Sequence, residues 1–271
     1  GRYYIAENKK GDKLANVCLS SRKDFRDAVI AARSAFNDWG SRAAFNRSQV
    51  LYRIAEMLEG RKAQFIDELM KQDSTKEQAE KEVSLSIERL IYYAGWCDKF
   101  QQLYSTVNPV ASSHFNFSAP EPTGVVSIIA PQNNSLIGLV SVIAPIIAGG
   151  NTCVVLASAS KPLCAVTFAE VLGTSDVPGG TINILTGKPG ELLSWFSDHM
   201  DVNAIVFCEN DKEAILKIQQ KATLNLKRVL LWNNYNWLLE TAQNPYLIND
   251  AQEIKTTWHP IENIGGAKAG Y

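Results

Sequence analysis

Histidine is scarce in this sequence, and His114, His199 and His259 lie too far apart to share a metal ion at ligand spacing. No metal site is expected. The five cysteines, Cys18, Cys97, Cys153, Cys164 and Cys208, form no Cys-x-x-Cys pair and are odd in number. Such usage favours a reducing, cytoplasmic compartment over a disulfide framework. No Lys/Arg run breaks the near balance of 27 basic and 28 acidic residues, net −1, so no surface is set to displace counterions from nucleic acid. Neither Gly-x-Gly-x-x-Gly nor the Gly-Lys-Ser/Thr phosphate loop occurs, which removes the commonest backbone cradles for phosphate. The opening Gly1-Arg2-Tyr3-Tyr4 is not a signal peptide and has no initiator methionine, so the native polypeptide is expected to extend further upstream.

A membrane-length apolar run is absent too. Pro122 to Ser160 carries no charge, yet Gln132-Asn133-Asn134-Ser135, Pro145 and Gly149-Gly150 interrupt it, whereas a span needs about 20 continuous apolar residues. No membrane partner is expected. An uncharged stretch of this kind fits a strand, a helix and a second strand buried within an α/β sheet.

What is present divides at Asn108-Pro109. Residues 1–107 read as a helical segment. Ser21-x-x-Asp24 resembles a capping box opening a helix with Phe25, Val29, Ala32 and Phe36 on one face. A second helix carries Leu51, Ile54, Leu58, Phe65 and Leu69, and a third opens at Ser74-x-x-Glu77 and runs to Cys97. Then the period shortens. His114–Ser118 alternates like a strand, within a strand segment assigned to 108–120. Over 121–231, apolar strands at Val125–Ile129, Thr152–Leu156, Ile182–Leu185, Ala204–Phe207 and Val229–Leu231 alternate with helix-length segments. That alternation specifies an α/β fold with a doubly wound parallel sheet. Residues 232–271 form a connector, a last strand at Glu253–Trp258 and a Gly-rich tail.

Chemistry is thin along this frame. Thr186-Gly187-Lys188-Pro189-Gly190 stands where an anion site would be, though a plain turn with Pro189 near the helix start explains it better. Cys153 in a strand and Cys164 in a helix read as packing residues, since a reactive thiol needs exposure and a base or cation nearby. Asn133, at a strand end, fits an oxyanion donor or equally a helix cap.

The segments EPTGVVSIIAPQNN, IAPIIAGGNTCVV, DVPGGTINILTG and HMDVNAIVF resemble, in order and spacing, the cofactor domain of the aldehyde dehydrogenase superfamily, and the preceding helices resemble its N-terminal segment. EIKTTWHPI is similar to that family's C-terminal oligomerisation strand. The resemblance implies a Rossmann-like domain, a small oligomerisation sheet, and an NAD- or NADP-dependent oxidation of aldehydes. Carried over residue by residue, it implies mostly losses. The family's oxyanion Asn falls on Asn133, now vestigial. Its ribose-binding Lys and Glu fall on Leu156 and Ala159, and its pyrophosphate glycines on Pro189 and Leu193. Its phosphate motif places Glu209 where a diphosphate would lie, and its general-base motif falls on Trp232-Asn233-Asn234-Tyr235. No cysteine follows Cys208 to serve as nucleophile, and the catalytic domain is replaced by a short connector.

The implied protein resembles the truncated, non-catalytic second half of family-sixteen aldehyde dehydrogenases. No catalytic residue and no bound cofactor are expected. Its expected role is structural: a homodimer through strands 114–118 and 253–258, attached to or touching a full aldehyde dehydrogenase half. Two alternatives stay open, a nucleotide or small-molecule binder without turnover, and an aldehyde oxidoreductase with a non-standard or in-trans site.

Overall fold

The computed structural model describes residues 1–261. Five parallel strands, β5 (Val125–Ile129), β6 (Thr152–Leu156), β7 (Ile182–Leu185), β8 (Ala204–Phe207) and β9 (Arg228–Leu231), lie in the order β7-β6-β5-β8-β9. Helices α6 (Leu136–Ala148), α7 (Leu163–Gly173), α8 (Pro189–Asp198) and α9 (Lys212–Ala222) connect them. The expected doubly wound sheet is therefore present.

The strands are apolar on both faces because both are covered. Val126, Ile128, Cys153 and Val155 pack into one core with α6, α7 and the N-terminal helices, while Val125, Ile129, Val154 and Leu156 pack into a second core with Phe25, Val29, Leu192 and Phe196. The period of two along each strand sorts its residues between these cores.

Before the sheet come α1 (Arg22–Ser41), α2 (Ala44–Gly60), α3 (Lys62–Lys71), α4 (Lys76–Trp96) and the short α5 (Phe100–Tyr104). The Asp24 carboxylate accepts the Ser21 N–H at 2.7 Å, as the capping pattern predicts, and also the Ser21 hydroxyl at 2.7 Å. Two expectations need correction. The helix read through Leu51–Leu69 is two helices broken at Gly60-Arg61, and α4 is capped by Thr75 with Gln78, not by Ser74 with Glu77. Thr75 offers the same hydroxyl one residue later, and its partner Gln78 closes the box.

The N-terminal segment is also not wholly helical. Strands β1 (Tyr3–Glu7) and β2 (Lys13–Cys18) form an antiparallel hairpin, and β3 (Thr106–Asn108) closes the segment. The hairpin turn is held by Asn8, whose Oδ1 accepts from the N–H groups of Lys10 and Asp12, and Gly11 takes a positive φ of 82°.

Strand β4 (His114–Pro122) pairs antiparallel with the last strand, β10 (Gln252–Pro260), and with β3, in the order β10-β4-β3. Both strands run longer than the 114–118 and 253–258 read from sequence. The connector holds a 3-10 turn (Glu240–Ala242) and α10 (Tyr246–Asp250). It is tied back by Arg89, almost wholly buried, whose guanidinium donates to Ser141 Oγ at 2.8 Å and to the carbonyls of Trp237 and Leu239 at 3.2 and 3.3 Å. The Gly-rich tail lies outside the described residues.

Candidate functional site

The strand order reverses between β5 and β8, and in open α/β sheets the crevice beyond the carboxyl ends at that point receives the ligand. Here three loops meet, following β5, β6 and β8. Gln132 ties them together. Its Nε2 donates to Ala130 O at 2.8 Å, and its Oε1 accepts the Ala159 N–H at 2.8 Å. Its carbonyl accepts from Ser158 Oγ at 2.8 Å and Ser160 Oγ at 2.7 Å. Its own N–H donates to Glu209 Oε1 at 2.7 Å. Every polar group of Gln132 is thus spent within the chain, and the β6 tip is closed onto the β5 loop. Glu209 and Ala159 stand out in the sequence through the family resemblance, whereas only its place between Pro131 and Asn133 marks Gln132 there.

The positions expected to be degenerate do not converge on a binding surface. Leu156 is fully buried in the same apolar core as Leu192 and Leu193. Gly187 has a φ of 157°, and a Cβ on it would come within 3.3 Å of Leu192 Cδ1. Pro189 occupies the first turn of α8, and Glu191 in that turn pairs with Arg2. A helix start with a proline and a carboxylate is a poor seat for an anion, because one N–H is gone and the partial positive charge is already answered.

Asn133 is exposed and makes no side-chain hydrogen bond among the described residues. It does not cap α6. That helix starts after Ser135, and the N–H groups of Leu136 and Ile137 go to Glu82 Oε1 at 2.9 and 3.1 Å. A buried carboxylate from α4 therefore serves the α6 terminus. Nothing in the spacing around Glu82 marks it in the sequence as facing a neighbouring helix.

Asn133 does line a crevice of about 440 Å³, with Glu209, Asn210 and residues 233–237 as its other principal walls. Asn210 Nδ2 donates to the Asn233 carbonyl at 3.0 Å, and Trp232 is buried with its Nε1 donating to Asp250 Oδ2 at 3.1 Å. Tyr235 and Trp237 pack ring to ring, with centroids 5.1 Å apart.

The four buried thiols are poor nucleophiles. Burial pushes Cys97 and Cys153 up to about 12, and raises Cys164 and Cys208 as well, with Glu209 adding to the shift at Cys208. Only the thiolate attacks, so none of these four is armed near neutral pH. Among the described residues no group of three His, Cys, Asp or Glu is placed to hold a metal ion, and no helix is long and apolar enough to cross a membrane.

The sheet order and its helices define a doubly wound α/β protein with a Rossmann-like fold. Residues 2–233 match the aldehyde dehydrogenase family, and the chain belongs to it. It is 32% identical over 226 residues to the cytosolic 10-formyltetrahydrofolate dehydrogenase of Homo sapiens, covering 82% of this chain and 25% of that protein. It is 31% identical to the putative aldehyde dehydrogenase DhaS of Bacillus subtilis, covering 82% of this chain and 45% of that one. An NAD+ complex of a Bacillus cereus aldehyde dehydrogenase superposes with a TM-score of 0.79 at 26% identity, over 85% of this chain and 47% of that one. The chain thus spans a quarter to a half of the relatives it matches.

Proposed function

We propose that this chain is a non-catalytic aldehyde dehydrogenase-like module that works by association. In isolation it pairs with a second copy. Within a longer protein, of the kind formed by family-sixteen enzymes, it docks on a full aldehyde dehydrogenase half. It neither oxidises aldehydes nor binds NAD or NADP with micromolar affinity. Leu156, Leu193 and Glu209 stand where ribose and phosphate contacts are expected, and each lost contact of about 1–3 kcal/mol weakens affinity roughly fivefold or more.

The observation that carries this reading is the edge of β10 that no strand covers among the described residues. β10 pairs on one side with β4 and lies at the margin of its sheet, with Ile254 and Trp258 55% and 58% exposed. Four residues apart, they share one face with Thr256 between them. An open strand of nine residues offers a row of main-chain groups to another strand. Burying each of those two side chains would add about 1.5–3 kcal/mol.

Light scattering on the intact chain and on an Ile254→Lys, Trp258→Glu variant tests the association. Substitution is preferable to truncation at Asp250, because Ala251 and Gln252 beyond it bond to Asn151 and Gly149 in the core. The intact chain should be dimeric at tens of micromolar and the folded variant monomeric; an intact monomer, or a dimeric variant, overturns the proposal. In the activity arm, a panel of aldehydes with NAD or NADP should give no cofactor reduction above a blank. Reduction that is lost on replacing one cysteine would restore the enzyme reading.

A further inference from the structure

The switch-point crevice is walled mainly by polar side chains. Its carboxamides outnumber every other polar group: Asn133, Asn210, Asn233, Asn234 and Asn236 all line it, and Glu209 is its one charged wall. Some of these groups are committed. Asn210 Nδ2 goes to the Asn233 carbonyl, Asn236 Oδ1 accepts the Leu238 N–H, and Glu209 Oε1 holds the Gln132 N–H. The side chains of Asn133, Asn233 and Asn234 make no hydrogen bond among the described residues, and Glu209 Oε2 is likewise unspent. The wall also carries Tyr235 and Trp237, packed together.

From this set we infer that the crevice binds a small neutral polyhydroxylated ligand, of the class of a monosaccharide or a cyclic polyol. A carboxamide presents a donor and an acceptor side by side, which matches vicinal hydroxyls that both give and take a proton. A carboxylate is the strongest acceptor for a hydroxyl, and its charge turns away phosphates and carboxylates. Half-buried Tyr235, backed by the buried Trp237, is the one aromatic edge left to meet the C–H face of a sugar ring. About 440 Å³ lies within the range of small-molecule sites, and the place is the one where this class of sheet binds ligands. The same carboxylate that discourages a dinucleotide thus selects an uncharged guest. The inference is independent of the pairing proposed for β10.

Calorimetry and ligand-observed NMR on the intact chain test it, with glucose, galactose, N-acetylglucosamine and myo-inositol as neutral probes and phosphorylated glucose as the charged one. At least one neutral probe should bind saturably in the millimolar range or tighter, and phosphorylated glucose about tenfold more weakly than its parent. Asn133→Ala and Asn234→Ala, both at exposed positions, should each weaken the neutral probe severalfold. Glu209→Gln should narrow the discrimination against the phosphorylated sugar. Lack of saturable binding by any neutral probe up to about 50 mM overturns the inference. So does binding that is indifferent to both asparagine substitutions, or tighter binding of the phosphorylated probe.

Discussion

The Glu209 carboxylate and the Gln132 main-chain N–H, 2.7 Å apart, join the loops that leave β5 and β8. A carboxylate on a main-chain donor is worth about 1.5–3 kcal/mol. Glu209→Ala should therefore lower stability by roughly 1–3 kcal/mol, read from the urea midpoint. It should not create an NAD site, because Leu156 and Leu193 still fill their core positions. Micromolar NAD binding by this variant, measured by calorimetry, would contradict the assignment of those leucines.

Thiol reactivity separates the cysteines. Cys18 is exposed and the other four are buried. A disulfide reagent should titrate one thiol in the native chain and five after denaturation. Loss of the native signal in Cys18→Ser would complete the assignment, and rapid native labelling of Cys208, which lines the crevice, would show that the crevice opens enough to admit the reagent.

Alkaline pH should destabilise the chain. Cys97 and Cys153, pushed up to about 12 by burial, keep their protons in the fold while unfolded thiols lose theirs near pH 9. The native state then holds more protons than the unfolded one, so stability falls as pH climbs from about 9 towards 12. Lys227 acts in the other direction. Burial lowers it to about 8, and its ammonium donates to the His199 carbonyl at 2.7 Å. Between about 8 and the unfolded value of 10.5 the unfolded chain holds the extra proton, which makes this contribution rise with pH. Lys227→Met should therefore steepen the alkaline loss. Melting temperatures of both chains from pH 7 to 11 check the sign.

Arg89 should be hard to replace. Arg89→Met strands the carbonyls of Trp237 and Leu239, each costing about 1–3 kcal/mol if left unpaired, while relieving a buried charge. A net loss of roughly 2–4 kcal/mol is expected. Limited proteolysis should show new cleavage between residues 233 and 245, where the connector loses its tie to α4. Unchanged protection there would mean that α10 holds the connector alone.

Strand and helix periods made the sheet legible. Val125–Ile129 through Leu231 matched within a residue, because buried parallel strands read as short apolar runs. The hairpin at Tyr3–Cys18 was hidden by its mixed, largely exposed faces, although the Asn8–Asp12 turn carried a usable signal. In the crevice, sequence placed Glu209 and Asn133 by resemblance. It did not reveal Gln132, Glu82 or Arg89, whose partners lie 27, 54 and 148 residues away. Long-range polar pairing leaves no local period to read.

The pairing of β4 with β10 sets an order of events during synthesis. Ser118 and Thr256, whose hydroxyls meet at 2.8 Å, are separated by 138 residues. At ribosomal rates β4 emerges on the order of ten seconds before its partner, with only the three residues of β3 to pair against. The parallel sheet lies wholly within that interval, so all its strands are available before β10 can complete the small sheet. Until then β4 presents Phe115 and Phe117 on an incomplete edge, and on a polysome its nearest alternative partner is the β10 of a neighbouring chain. A late, sequence-distant partner thus makes β4 the strand of this fold that waits longest for its main-chain bonds.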